Sequence, residues 1–131
     1  MKILIDSDFL VGLFRDEDVH HKNTLDILER ETKKGSNLFV SNLVLFETAT
    51  VLAHRVNMDA VRLFYEKLQK LKLKKIGVDE KMENKSWEIF LKQTKKGCSF
   101  VDCANLAAIE TYKFSGILSF DKFYPKNLKK G

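Results

Sequence analysis

Near its start the chain reads Lys2-Ile3-Leu4-Ile5-Asp6-Ser7-Asp8, an apolar run that breaks off at an acid. The run does not alternate between apolar and polar residues, as a strand with one wet face would. It reads as a strand covered on both faces, the habit of a parallel sheet. Ser7 and Asp8 then offer N-cap chemistry for a short helix over residues 9–14. The same device recurs at Gly116-Ile117-Leu118-Ser119-Phe120-Asp121, a second apolar run that ends on aspartate. Between these two runs the spacing predicts strands over residues 38–40 and 73–78, the latter more polar and nearer an edge. Helices are predicted over residues 17–33, 42–54, 59–71, 79–96 and 99–112 from apolar positions at helical spacing and from capping residues. Strands that alternate with helices imply an α/β three-layer sandwich: a central parallel sheet of four or five strands flanked by helices.

Composition narrows the class. Apolar residues make up 44% and charged residues 31%, the balance of a packed domain rather than a disordered chain. A length of 131 residues suits one domain over residues 1–131, large enough to bury a core. No apolar run approaches the roughly 18 residues that span a bilayer, and the run before Asp6 is too short for a secretory signal. A cytoplasmic protein with no membrane association is expected, its Cys98 and Cys103 kept as reduced thiols. The net charge of +5 points toward a polyanionic partner, provided that the acids gather in one place while lysines cover the rest. His20, His21 and His54 read as structural or surface residues, since two adjacent histidines lack a third metal ligand.

The placement of the acids carries the chemistry. In an open α/β sheet, ligands bind beyond the carboxyl ends of the strands, so Asp6 and Asp121 should face that crevice. Each also has a local explanation, because strand-to-helix turns favour Asp as a cap. Glu47 has Leu43, Val44 and Val51 as its helical neighbours and no Lys or Arg three or four residues away. A carboxylate drawn into such a face needs a partner from elsewhere. Asp102 sits at the third position after Ser99, which makes a near capping box at a helix start beside the strand ends. Carboxylates converging without a cation would repel by roughly 4 kcal/mol per close pair at an effective dielectric of 20. All-oxygen ligands without a Cys or His set select Mg²⁺ or Mn²⁺ over zinc. Such ions can activate water against a phosphodiester, and lysines such as Lys92, Lys95 and Lys96 would then face a nucleic acid backbone.

Four segments, taken together and in order, resemble the PIN-domain proteins, specifically the VapC-like toxins of type II toxin–antitoxin pairs. They are Ile3-Leu4-Ile5-Asp6-Ser7, Ser41-Asn42-Leu43-Val44-Leu45-Phe46-Glu47, Ser99-Phe100-Val101-Asp102 and Gly116-Ile117-Leu118-Ser119-Phe120-Asp121-Lys122-Phe123. The resemblance implies a 3-2-1-4 parallel sheet, Mg²⁺ or Mn²⁺ dependence, endonucleolytic cleavage of RNA, homodimerisation and neutralisation by a small antitoxin protein. It also implies catalytic and metal-binding roles for Asp6, Glu47, Asp102 and Asp121, supported by Ser7, Ser119, Ser99 and Asp8. Two departures stand out. Asp8 is an acid where the family has a small or polar residue, and the tail after Phe123 is too short for a further edge strand.

Two other readings fit parts of the same sequence. Asp6-Ser7-Asp8 after a strand is a D-x-D pattern, as in aspartyl-phosphate phosphatases, where the first Asp is a nucleophile and the second a general acid/base. Phe9-Leu10 follows, however, where that motif wants a hydroxyl residue. A non-catalytic PIN-like binding protein is the other alternative, its ten phenylalanines shared between core and interface.

Overall fold

In the computed structural model, which describes residues 1–130, four parallel strands form one sheet in the order β3-β2-β1-β4. The elements run β1 (Lys2–Ile5), α1 (Ser7–Phe14), α2 (His21–Lys33), β2 (Asn37–Ser41), α3 (Asn42–Arg55) and α4 (Met58–Leu68). There follow β3 (Leu73–Ile76), α5 (Glu80–Leu91), α6 (Phe100–Tyr112) and β4 (Gly116–Leu118).

Strand β1 is apolar from Ile3 to Ile5 because successive side chains serve two different cores. Ile3 and Ile5 point to one face and pack with Phe9, Leu10, Ile27, Val40, Val44 and Leu118, beneath α1, α2 and α3. Leu4 points to the other face and joins Ile117, Met82, Ala107, Ala108, Phe114 and Tyr124, beneath α5 and α6. Each Val, Leu, Ile, Phe or Met side chain among these, removed from water, contributes about 1.5–3 kcal/mol. The three layers therefore follow from a period of two along one buried strand. A smaller cluster of Leu52, Phe64 and Leu68 fastens α4 to α3. Strand β3 lies at the edge and exposes Lys74 and Lys75, charges that discourage pairing with another sheet.

The chain builds outward from β1 through β2 to β3, then returns to place β4 on the opposite side of β1. That reversal is the topological switch point, and the crevice it opens lies at the ends of β1 and β4. The Asp6 amide donates to the Leu118 carbonyl at 3.0 Å, which holds the two strand ends together.

Several boundaries differ from the sequence reading for identifiable reasons. Helix α1 begins at Ser7, with Asp6 as its N-cap instead of Ser7 or Asp8. Helix α2 begins at His21, not at residue 17. The Asp18 carboxylate accepts from the His20 amide at 2.9 Å, and the His20 ring stacks on Phe120 at 3.9 Å, which fixes a turn there. Helix α5 ends at Leu91, because the polar residues that follow have nothing to bury. Strand β4 ends at Leu118, so Asp121 lies on the loop beyond it and not at the strand end. The tail forms no further strand among the described residues: one isolated parallel bridge pairs Ile117 with Lys129, and Tyr124 packs with Leu4 and Ile117. Among the described residues no helix is long and apolar enough to cross a membrane.

Candidate active site

Asp6 is the most enclosed acid of the crevice, only 3% exposed. Its Oδ1 accepts from the Ser7 amide at 2.8 Å and from Asn105 Nδ2 at 3.1 Å; its Oδ2 accepts from the Ser119 hydroxyl at 2.9 Å. None of these donors carries a charge. Burial, with the nearby Asp8 carboxylate adding to it, pushes the Asp6 pKa up to about 7 despite the hydrogen bonds from Ser7 and Ser119. Asp8 follows on the first turn of α1. Its Oδ2 accepts from the Phe120 amide at 3.0 Å and from the Ser119 hydroxyl at 3.3 Å, tying α1 to the loop after β4. Its Oδ1 is buried without a hydrogen-bond partner. Burial raises its pKa as well, and the Asp121 charge adds to the effect.

Asp102 is buried at the start of α6 in a complete capping box: its amide bonds the Ser99 hydroxyl and its Oδ2 accepts from the Ser99 amide, both at 3.0 Å. The cap explains its position without removing it from the crevice. Its Oδ1 accepts from the Tyr124 hydroxyl at 3.3 Å, and its pKa is raised by burial, with Asp121 contributing. Glu47, half-buried on α3, accepts from the Ser7 hydroxyl, whose own residue donates its amide to Asp6. Asp121 is exposed at the rim, held by the Phe123 amide at 2.9 Å, and its own amide donates to the Ser119 hydroxyl at 3.1 Å.

The structure thus gathers Asp6, Asp8, Asp102 and Asp121 within electrostatic reach of one another and links Glu47 to Asp6 through Ser7. Among the described residues, no ion pair involves any of these five acids. Nor do any three acidic, imidazole or thiol groups already stand as a closed cage for an ion. Asp102 and Glu47 are turned toward local donors, Ser99 and Ser7. The donor set still fits a hard divalent cation. It is all oxygen, it is not neutralised by Lys or Arg, and it includes the orphaned Asp8 Oδ1. Among the described residues no Lys or Arg pairs with these acids, so a cation would offset the cost of their burial.

Two residues of the crevice escape the sequence reading, Asn105 and Tyr124, which are 0% and 2% exposed. The signal for Asn105 was its place one turn after Asp102, among Cys103, Ala104, Ala107 and Ala108. A polar residue on that small, apolar face requires a partner. Tyr124 carries no comparable signal, because its partners lie far away in the chain. Beside Asp121 opens a groove of about 490 Å³ whose walls include Lys95, Lys96, Cys98, Lys122 and Phe123. Ser7 and Asp8 line a second cleft of about 270 Å³ together with His20 and Arg55.

The family model of the PIN domain matches residues 3–127. The chain belongs to the PIN-domain family. This PIN domain is 29% identical over 123 residues to a VapC ribonuclease of Archaeoglobus fulgidus, across 92% of this chain and 78% of the relative. Its fold matches the crystal structure of Mycobacterium tuberculosis VapC20, a sarcin-ricin loop cleaving toxin, with a TM-score of 0.80. Identity there is 22%, and the match covers 92% of this chain and 91% of the other. A second crystal structure, Rickettsia felis VapBC2 bound to a DNA fragment from its promoter, matches with a TM-score of 0.69 and 14% identity. That match covers 98% of this chain and 96% of the other.

Proposed function

We propose that this PIN domain is a divalent-metal-dependent endoribonuclease, the toxin of a toxin–antitoxin pair. The observation that carries the reading is the cluster of acids around buried Asp6 and Asp102 at the switch point of the sheet, none of them in an ion pair among the described residues. Similarity to the archaeal VapC ribonuclease and to VapC20 supports RNA as the substrate class.

Asp6, Asp102, Asp121 and Glu47 would hold Mg²⁺ or Mn²⁺. When bound, the ion supplies positive charge that acidifies water and stabilises charge developing on a phosphodiester. The protein's own side chains do the rest. Ser119 and the Ser7 amide orient both oxygens of Asp6. Ser99 holds Asp102 at the positive end of α6, which favours its ionised form. Glu47, half-buried and held by Ser7, would bind the ion directly or through water, or help orient the attacking water. Lys95, Lys96 and Lys122 line the groove beside Asp121 and receive the RNA backbone. In the same reading the chain acts in the cytoplasm as a homodimer. A small antitoxin neutralises it, and exposed Phe46, Tyr65, Trp87 and Leu91 offer apolar surface for these associations.

The test is cleavage of RNA by the purified chain with Mn²⁺ or Mg²⁺. Cleavage should disappear in EDTA and in Asp6→Asn, with the variant still folded by circular dichroism. Cleavage that survives both treatments removes the metal-dependent mechanism.

A further inference from the structure

Asp6 and Asp102 come from distant parts of the chain, and two buried neutral side chains connect them. Asn105 Nδ2 donates to Asp6 Oδ1 at 3.1 Å and to the Tyr124 hydroxyl oxygen at 2.9 Å. The Tyr124 oxygen thereby serves as an acceptor, and its single hydrogen goes to Asp102 Oδ1 at 3.3 Å. With Asp6 and Asp102 ionised, as ligands of a cation would be, the groups at the ends set the directions of all three bonds. Two acceptors face the Asn105 amide nitrogen, and turning the amide over would set its oxygen against a carboxylate. The other end of that amide, Oδ1, is buried without a partner. A fully buried amide that leaves its acceptor unsatisfied carries a cost, and what offsets it here is what its nitrogen does.

The chemistry of this link differs from that of an ion pair. An Arg or Lys between the two acids would hold them in place and cancel the charge that attracts a cation. An amide and a phenol lower the cost of burying the carboxylates while leaving that charge available. We propose that Asn105 and Tyr124 are positioning residues for the ion site: they hold Asp6 and Asp102 in a fixed relation without neutralising them, and so set the site's affinity for a divalent cation. The assignment rests on the nuclease reading given above. It also gives the tail a purpose beyond packing, since the Tyr124 ring belongs to the core beneath α5 and α6 while its hydroxyl reaches the crevice.

Tyr124→Phe removes one hydroxyl and keeps the ring, Asn105→Ala removes the link at its centre, and Leu68→Ala in the α3–α4 cluster is a destabilised control remote from the crevice. The primary readout is calorimetric titration with Mn²⁺ alone, alongside melting in EDTA and steady-state RNA cleavage. Partners that orient metal ligands typically account for 10–100-fold in metal affinity. Tyr124→Phe should therefore weaken Mn²⁺ binding about tenfold and Asn105→Ala at least as much. The double variant should add little to Asn105→Ala, because the link is serial. For RNA, kcat should fall with KM unchanged, and Leu68→Ala should leave the Mn²⁺ affinity unaltered. If Asn105→Ala does not fold, Tyr124→Phe decides. A folded Tyr124→Phe that binds Mn²⁺ within twofold of the unmodified chain overturns the proposal. If the unmodified chain binds Mn²⁺ but does not cleave RNA, the nuclease reading fails while the affinity comparison still judges the link. If it binds no Mn²⁺ at all, both are overturned.

Discussion

Asp6, once ionised, works against the fold. Its pKa is pushed up to about 7 from 3.8, first by burial and then by Asp8. A group that holds its proton more tightly in the folded chain favours the fold at low pH. That contribution is complete below 3.8, and it is lost as pH rises through about 7. In EDTA the chain should therefore melt at a higher temperature at pH 5 than at pH 8. Asp6→Asn should reduce the difference and should be the more stable protein at pH 8. Asp8 and Asp102, also raised by burial, act in the same direction. Glu31 does not confuse this window. Burial pushes its carboxyl up, but the Ser36 hydroxyl, Lys34 and Arg30 together pull it below 4.5, so its contribution is lost only in stronger acid. Added Mn²⁺ should reverse the order at pH 8, raising the melting temperature of the unmodified chain and leaving Asp6→Asn unmoved. Melting curves at the two pH values, with and without Mn²⁺, check all of this. A metal-free chain no less stable at pH 8 than at pH 5 would contradict it. At this scale Asp6, Glu47 and Asp102 were legible because each breaks a local pattern, two as acids at element boundaries and one as an acid on an apolar helix. The capping explanations for Asp6 and Asp102 proved true as well, since one side chain both starts a helix and faces the crevice. Asn105 and Tyr124 were not legible as a pair, because nothing in linear spacing tells which buried amide meets which phenol.

At the level of elements, two backbone hydrogen bonds hold the tail against β4, from the Ile117 amide to the Leu128 carbonyl at 2.7 Å and from the Lys130 amide to the Ile117 carbonyl at 3.0 Å. Gly116 makes this approach possible, since a Cβ there would land on the Leu128 carbonyl oxygen and on the Lys130 side chain. Gly116→Ala should destabilise the chain by about 1–3 kcal/mol, the usual range for overpacking. Gly77→Ala, where a Cβ meets nothing within 4 Å, should be nearly neutral. Chemical denaturation midpoints compare the two, and equal midpoints would show that the tail does not press on β4. Loss of Tyr124 from the crevice should accompany Gly116→Ala, visible as weaker Mn²⁺ binding. The elements themselves were legible from the run of apolar residues and the caps. Their ends were less so. Residues 17–20 carry the charges of a helix start, but an Asp18 turn and a ring stacked on Phe120 claim them instead. Ser119 and Phe120 continue an apolar run, but their hydrogen bonds go to Asp6 and Asp8 rather than to a neighbouring strand.

Over the whole molecule the net charge is +5; among the described residues the crevice acids form no ion pair, and Lys95, Lys96 and Lys122 line the groove beside Asp121. RNA binding should weaken steeply with salt. Substituting Lys95 and Lys96 together by Ala should raise KM and leave kcat unchanged. It should also reduce the salt slope by about 0.7 for each phosphate no longer neutralised, as for single strands. Binding measured across a range of KCl concentrations checks this, and an unchanged slope would place the backbone elsewhere. The sheet order was legible only through family resemblance, since four short apolar strands admit many pairings. The covering of both sheet faces was legible from β1 alone.

The one tryptophan of the chain, Trp87, is 45% exposed and meets the ring of Phe100, the first residue of α6, at 4.8 Å between centroids. Phe100 stands two positions before Asp102, so this indole is a built-in optical reporter on the helix start that carries an acid of the crevice. If the proposed ion or RNA binds there, its emission should change on mixing in a stopped-flow instrument and give a dye-free record of how fast that helix end settles.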